Sequence, residues 1–174
     1  MRHILLSLIL ALPTTAALAQ TRIALDFPEL AAKADETVDV TLDGPMLRFA
    51  GKFLSDKGDE RTAKDVIRNL VGIYVRSYTF EHEGAYDRAI ADRVRNQLGP
   101  SWHKIVKVTS RKSDNVDIYA DMHGDDIAGL VIISAEPKEF TVVNLVGPID
   151  LDKLGSLEGE FGIPRMSVER GKRQ

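Results

Sequence analysis

The chain has 174 residues, with 23 Lys+Arg against 26 Asp+Glu and no cysteine. That length fits one ordinary domain able to bury a core without cross-links, and the missing cysteines exclude disulfides, thiolate metal sites and a Cys nucleophile. The slightly acidic balance, net −3, argues against a nucleic-acid partner, which leaves a basic footprint.

Arg2 and His3 precede the apolar run Ile4–Leu12, Pro13 breaks it, and Ala17-Leu18-Ala19 offers a small-x-small cleavage site before Gln20. Residues 1–19 therefore read as a cleaved signal peptide. The run is too short for the roughly 20 residues of a spanning helix, so no stable membrane insertion is expected after cleavage. The expected location is periplasmic or secreted. The organisation predicted is a signal at 1–19, a single domain over 20–164 and a flexible polar tail at 165–174.

Within the domain, Asp26–Leu30 suggests a short helix with Pro28 in its first turn. Thr37–Leu42 alternates Val38, Val40 and Leu42 with polar residues, the period of a strand. After the Asp43-Gly44-Pro45 turn, Met46, Leu47, Ala50, Phe53 and Leu54 recur at helical spacing, predicting an amphipathic helix with these residues inside. Thr62 is the expected cap of a second helix, with Val66, Ile67, Leu70 and Val71 on its inner face. Ile73–Phe80 is β-branched and aromatic and reads as the clearest strand. Gly84–Leu98 returns to helical spacing through Tyr86, Ile90, Val94 and Leu98.

Four strand-like runs follow without an intervening helix, near 102–112, 115–123, 129–136 and 139–146, and their short connectors predict an antiparallel meander. The last two are apolar at nearly every position, as in strands covered on both faces. Asn115–His123 alternates instead, which predicts a solvent face carrying Asp117, Tyr119, Asp121 and His123. Asp150 is placed to cap a final helix bearing Leu151, Leu154 and Leu157. The fold class expected is α+β, a two-layer sandwich with a mixed or mostly antiparallel sheet of about five to six strands and helices on one face.

Asp121, His123, Asp125 and Asp126 are the weak metal candidates, since carboxylates and imidazole suit divalent cations. They lack an EF-hand order or a His-Glu-x-x-His spacing, and Gly-Asp-Asp is a normal hairpin connector, so the turn reading is preferred and no cofactor is expected. No Gly-x-Ser-x-Gly elbow or phosphate loop is present, so no catalytic residue is assigned and the reading leans away from an enzyme. Lys104, Lys107, Arg111 and Lys112 make one strand basic, which cross-strand pairing with Asp114, Asp117 and Asp121 explains better than an anionic ligand. Tyr74, Arg76 and Tyr78 share one strand face, either as a ligand or partner platform or as a core row with a shielded guanidinium.

The segments Val38–Pro45, Gly72–Phe80, Gly84-Ala85-Tyr86 and Val142–Leu151 resemble those of a bacterial family, domain of unknown function 4252. The resemblance spans about residues 30–164, and the Gly-x-Ile-Asp-Leu sequence after the last strand is its most specific element. Members are typically small exported proteins, some lipidated, and this chain lacks the lipid-bearing Cys. The resemblance implies no catalytic residue. Together these features predict an exported, non-enzymatic binding or adaptor module that presents a sheet face or edge to an envelope protein partner. The alternative is an envelope enzyme or small-ligand-binding protein with an unrecognised site. Oligomeric state is left open.

Overall fold

The computed structural model describes residues 22–54, 58–109 and 115–150. The signal segment, the final helix and the polar tail expected from sequence lie outside the described residues, as do Arg111, Lys112 and Asp114. Ten elements run in the order α1 (Pro28–Ala31), β1 (Glu36–Asp43), α2 (Gly44–Ala50), α3 (Gly58–Asn69), β2 (Gly72–Thr79), α4 (Ile90–Arg95), β3 (Trp102–Val108), β4 (Asn115–His123), β5 (Asp126–Ala135) and β6 (Glu139–Val146). The six strands form one antiparallel sheet in the order β1-β2-β6-β5-β4-β3, an α+β fold dominated by its sheet. The meander β3 to β6 is as expected, and its last strand pairs with β2, itself antiparallel to β1 across the intervening α2 and α3, which places β6 and β5 centrally.

Alternation along each central strand separates two cores. Ile73 and Val75 of β2, Val143 and Leu145 of β6, and Leu130 and Ile132 of β5 join Leu47 of α2 and Val66 and Ile67 of α3. Tyr74 and Tyr78, Phe140 and Val142, and Val131 and Ile133 point the other way and join Phe27, Leu30 of α1 and Ile90, Ala91 and Val94 of α4. The expected arrangement with helices on one face is thus corrected: helical residues pack on both. The reason lies in β5 and β6, whose apolar residues alternate toward both sides and leave neither side suited to water. On the second side an extended segment completes the cover, burying Ile23, Leu25 and Phe27 while Arg22, Ala24 and Asp26 stay exposed.

Helix boundaries depart from the sequence reading in three places. The helix α3 begins at Gly58, before Thr62. Only Ile90–Arg95 of the 84–98 stretch is helical: Gly84 adopts φ +79°, and Asp87 lies in the turn before the helix, its carboxylate accepting from Ala89 N. Tyr86 packs on the sheet instead, its hydroxyl 2.5 Å from the Glu136 carbonyl oxygen and 2.9 Å from that of Glu139, and burial pushes its pKa to about 12. In α2, Asp43 accepts from Met46 N as the cap, a role the sequence reading does not assign, and of the five residues placed inside, Met46 and Phe53 stand 48% and 75% exposed. Leu47, Ala50 and Leu54 form the inner line, and Met46, Phe49 and Phe53 form the outer one.

After β6, Gly147 turns the chain at φ +126° against the end of α3, where a Cβ would stand 2.8 Å from Val71 N and 2.9 Å from Leu70 Cα. Both conformation and space demand glycine. Gly147→Ala is expected to destabilise the fold by roughly 2–4 kcal/mol, measured by urea denaturation; a loss below about 0.5 kcal/mol would contradict this packing.

Candidate interaction surfaces

The structure brings Tyr74, Arg76 and Tyr78 together on one face of β2, and that face is filled. Tyr74 and Tyr78 are buried, at 8% and 3% exposure. Phe27 meets Tyr78 and Phe140 edge-on, at centroid distances of 6.2 and 5.5 Å, and the Arg22 guanidinium lies 4.1 Å over the Tyr74 ring. Tyr74 leans across Gly72, where a Cβ would meet its hydroxyl at 2.6 Å. Burial raises the pKa of Tyr78 above its ordinary value. Arg76 Nη1 pairs with Asp39 Oδ1 on β1 at 2.5 Å and donates to the Val75 carbonyl at 2.9 Å, so its guanidinium is engaged within the sheet.

The acidic and histidine candidates sit where β4 turns into β5. Asp121 is buried at 3% exposure, His123 Nε2 stands 3.3 Å from Asp121 Oδ1, and Asp125 and Asp126 are exposed in and beside the hairpin turn. Among the described residues, no three His, Asp or Glu side chains are grouped to hold a metal. The solvent face expected for β4 is corrected here, since Asp117 and Asp121 are both buried. The carboxylate of Asp117 receives Arg95 Nε and Nη2 on one oxygen, at 2.9 and 2.6 Å, and Lys104 Nζ stands 3.2 Å from the other. Arg95 reaches it from α4, and Lys104 from β3, which makes the cross-strand pairing foreseen for the basic strand real at this position. Desolvation at Arg95 is outweighed by Asp92 and Asp117, so its pKa is raised. Contact with Tyr119 and then Asp117 raises that of Lys104. Sequence reasoning missed the role of Arg95, whose signal is only its place in the last turn of a helix.

Apart from Val38 on β1, the large exposed apolar side chains of the described residues fall in two other places. On α2 and the turn after it, Met46, Phe49 and Phe53 project outward, the two rings packed edge-on at 5.0 Å, and Val71 beyond α3 is 59% exposed. On the opposite side of the molecule's sheet order, β3 pairs only with β4, and it exposes Ile105 (41%) and Val108 (49%) around a bulge between Lys104 and Val106. A cavity of about 320 Å³ opens between α1 and α4, lined by Glu29, Leu30, Lys33, Tyr86, Ile90 and Arg93 among others, with Glu29 and Arg93 ion-paired across it.

Residues 31–157 match the family described as Domain of unknown function (DUF4252). The chain belongs to this family. No curated protein and no solved structure matches it. The span recognised as DUF4252 contains all six strands and begins at Ala31, so the buried lead Ile23–Leu30 precedes it. The family description carries no activity, and no residue role is transferred from it.

Two expectations follow for the residues singled out above. Tyr74→Ala removes a ring packed beneath Arg22 and over Gly72, and should destabilise by roughly 3–5 kcal/mol, as other buried aromatics do; a variant melting like wild type would show that this face is open. For Asp121, His123, Asp125 and Asp126, a chelator should leave the melting temperature unchanged because no ligand-linked free energy is lost. A fall with EDTA that one added cation restores would establish a site there.

Proposed function

We propose that this DUF4252 chain is an exported, non-enzymatic binding or adaptor module of the cell envelope, periplasmic or secreted, which docks a protein partner on the edge strand β3. Residues 1–19 support the export reading through their basic start, apolar run and Ala-x-Ala site. The observation that carries the docking reading is the outer row of β3, unpaired among the described residues, where Ile105 and Val108 remain exposed beside His103 and Lys107. Both sheet faces are occupied by the chain's own cores, so the presentation of a bare face is set aside and the edge is retained. An extended partner segment would add its main-chain hydrogen bonds to that row and set apolar side chains against Ile105 and Val108, with acidic ones toward Lys107. The bulge and the charges of β3 block indiscriminate strand pairing and leave a partner of complementary pattern as the occupant. The other edge, β1, offers only Val38 among its large exposed apolar groups.

The alternative, a small-ligand-binding protein or an envelope enzyme, draws on the cavity between α1 and α4. Its volume lies at the lower end for ligand sites, and its Glu29–Arg93 pair and Lys33 would select a small polar or zwitterionic molecule.

Photo-crosslinking from position 105 in envelope preparations should yield one dominant protein adduct, reduced about tenfold by Val108→Asp. An equal adduct from a control position on β1, such as Thr37, or none above background from position 105, would overturn the edge reading.

A further inference from the structure

Among the described residues, the two large exposed aromatic side chains, Phe49 and Phe53, both lie on the outer side of α2 and the turn after it. Asp43 and Pro45 fix the start of a two-turn helix, Leu47 anchors it to the sheet at 2% exposure, and Met46, Phe49 and Phe53 are left facing water. Phe53 is three-quarters exposed on the turn that follows the helix, and none of the described residues covers it. A cationic residue directly precedes each ring, in Arg48-Phe49 and Lys52-Phe53, and Arg48 and Lys52 are both exposed. The Arg48 guanidinium folds back toward Gly44, where a Cβ would lie 3.3 Å from Nη1. Asp43, at the start of the helix, caps Met46 N.

We propose that this ridge is a peripheral membrane-contact surface for anionic phospholipid. Phe49, Phe53 and Met46 would enter the boundary between headgroups and acyl chains, while Arg48 and Lys52 extend their charged ends to the lipid phosphates. A second copy of the chain is a poorer occupant. The exposed parts of Met46, Phe49, Phe53 and Val71 amount to roughly 500 Å², short of the ~800 Å² that each partner of a stable dimer buries. Two like-charged ridges would also oppose Arg48 and Lys52 to each other, whereas an anionic surface complements them. The contact is reversible in this geometry, because it comprises three side chains and two charges on a short helix rather than a spanning segment. It is separate from the β3 edge and leaves that edge free.

Flotation of the purified chain, residues 20–174, with vesicles tests this. Vesicles of phosphatidylcholine containing about a third phosphatidylglycerol should carry the wild type upward, and phosphatidylcholine alone should carry much less. The variant Phe49→Ser/Phe53→Ser, and Phe53→Ser alone as a milder change, should keep the wild-type circular dichroism and lose binding about tenfold. Arg48→Gln/Lys52→Gln should abolish the preference for the anionic vesicles, and Ile105→Asp should leave flotation unchanged, which separates this surface from the proposed protein-docking edge. Wild type that does not float, serine variants that float as well as wild type, or a photo-crosslinker at position 53 that captures a protein in place of lipid would each overturn the proposal.

Discussion

Strands that are apolar on both sides must be covered on both sides, and this requirement organises the molecule. Val131, Ile132, Ile133, Val142, Val143 and Leu145 are all essentially inaccessible, so β5 and β6 lie in the middle of the sheet with a packed layer above and below. The two layers differ in kind. One is wholly aliphatic among its buried members, and α2 and α3 bring their own Leu, Val and Ile down to meet the strands. The other receives a short extended segment and two helices of four and six residues, which bring less bulk, and Phe27, Tyr74, Tyr78, Phe80, Tyr86 and Phe140 fill the remaining depth. Ring size compensates for the thinness of the cover, as close packing demands.

Polar groups inside the fold serve this arrangement. Asn144, fully buried on β6, accepts from Ile23 N with Oδ1 and donates from Nδ2 to the Leu130 carbonyl, while Gln97 exchanges two hydrogen bonds with the backbone of Ala24. These two side chains hold the extended lead in place by its peptide groups at Ile23 and Ala24. At the far end of β2, Ser77 and Thr141 share Glu139 Oε1 across the β2–β6 pair. The titratable clusters that suggest chemistry in the sequence are for the most part fastened to their neighbours. Among the described residues, most of the large apolar side chains left exposed lie on and around α2 and on β3.

Legibility in the sequence follows the range of the interaction concerned. The bounds of β4 and β6, the meander and the covering of the last two strands on both faces are written in local alternation and composition, and they stand as read. The burial of Asp117 is written nowhere near Asp117, because it depends on Arg95 crossing from a helix twenty-two residues earlier. The same holds for the cover on the aromatic side: residues 22–27 show no strong pattern, and their role exists only through Asn144 and Gln97. In α2 the helical period was legible, but two apolar lines ran side by side. Which one faced inward depended on where α3 and β2 left room, so Leu47 went in while Phe53 stayed out. The candidate surfaces were hardest to see, since exposure of Ile105 or Phe49 is a statement about what the rest of the chain fails to reach.

The place of β6 between β2 and β5 bears on how this chain acquires its structure. The β3–β5 meander forms from neighbours in sequence, whereas the β1–β2 pair joins residues 29–43 positions apart across α2 and α3, and the two meet only through the strand at 139–146, which pairs with β2 residues 60–74 positions earlier. Contacts of such separation require a long loop to close before they return any stabilisation, and they place a protein among slow folders. Until that strand inserts, Val75 and Ile132 each have an open sheet edge and a bare apolar neighbour position at the centre of the future molecule. An emerging chain therefore spends its longest interval as two incomplete half-sheets, the state in which association with other chains competes most strongly with folding.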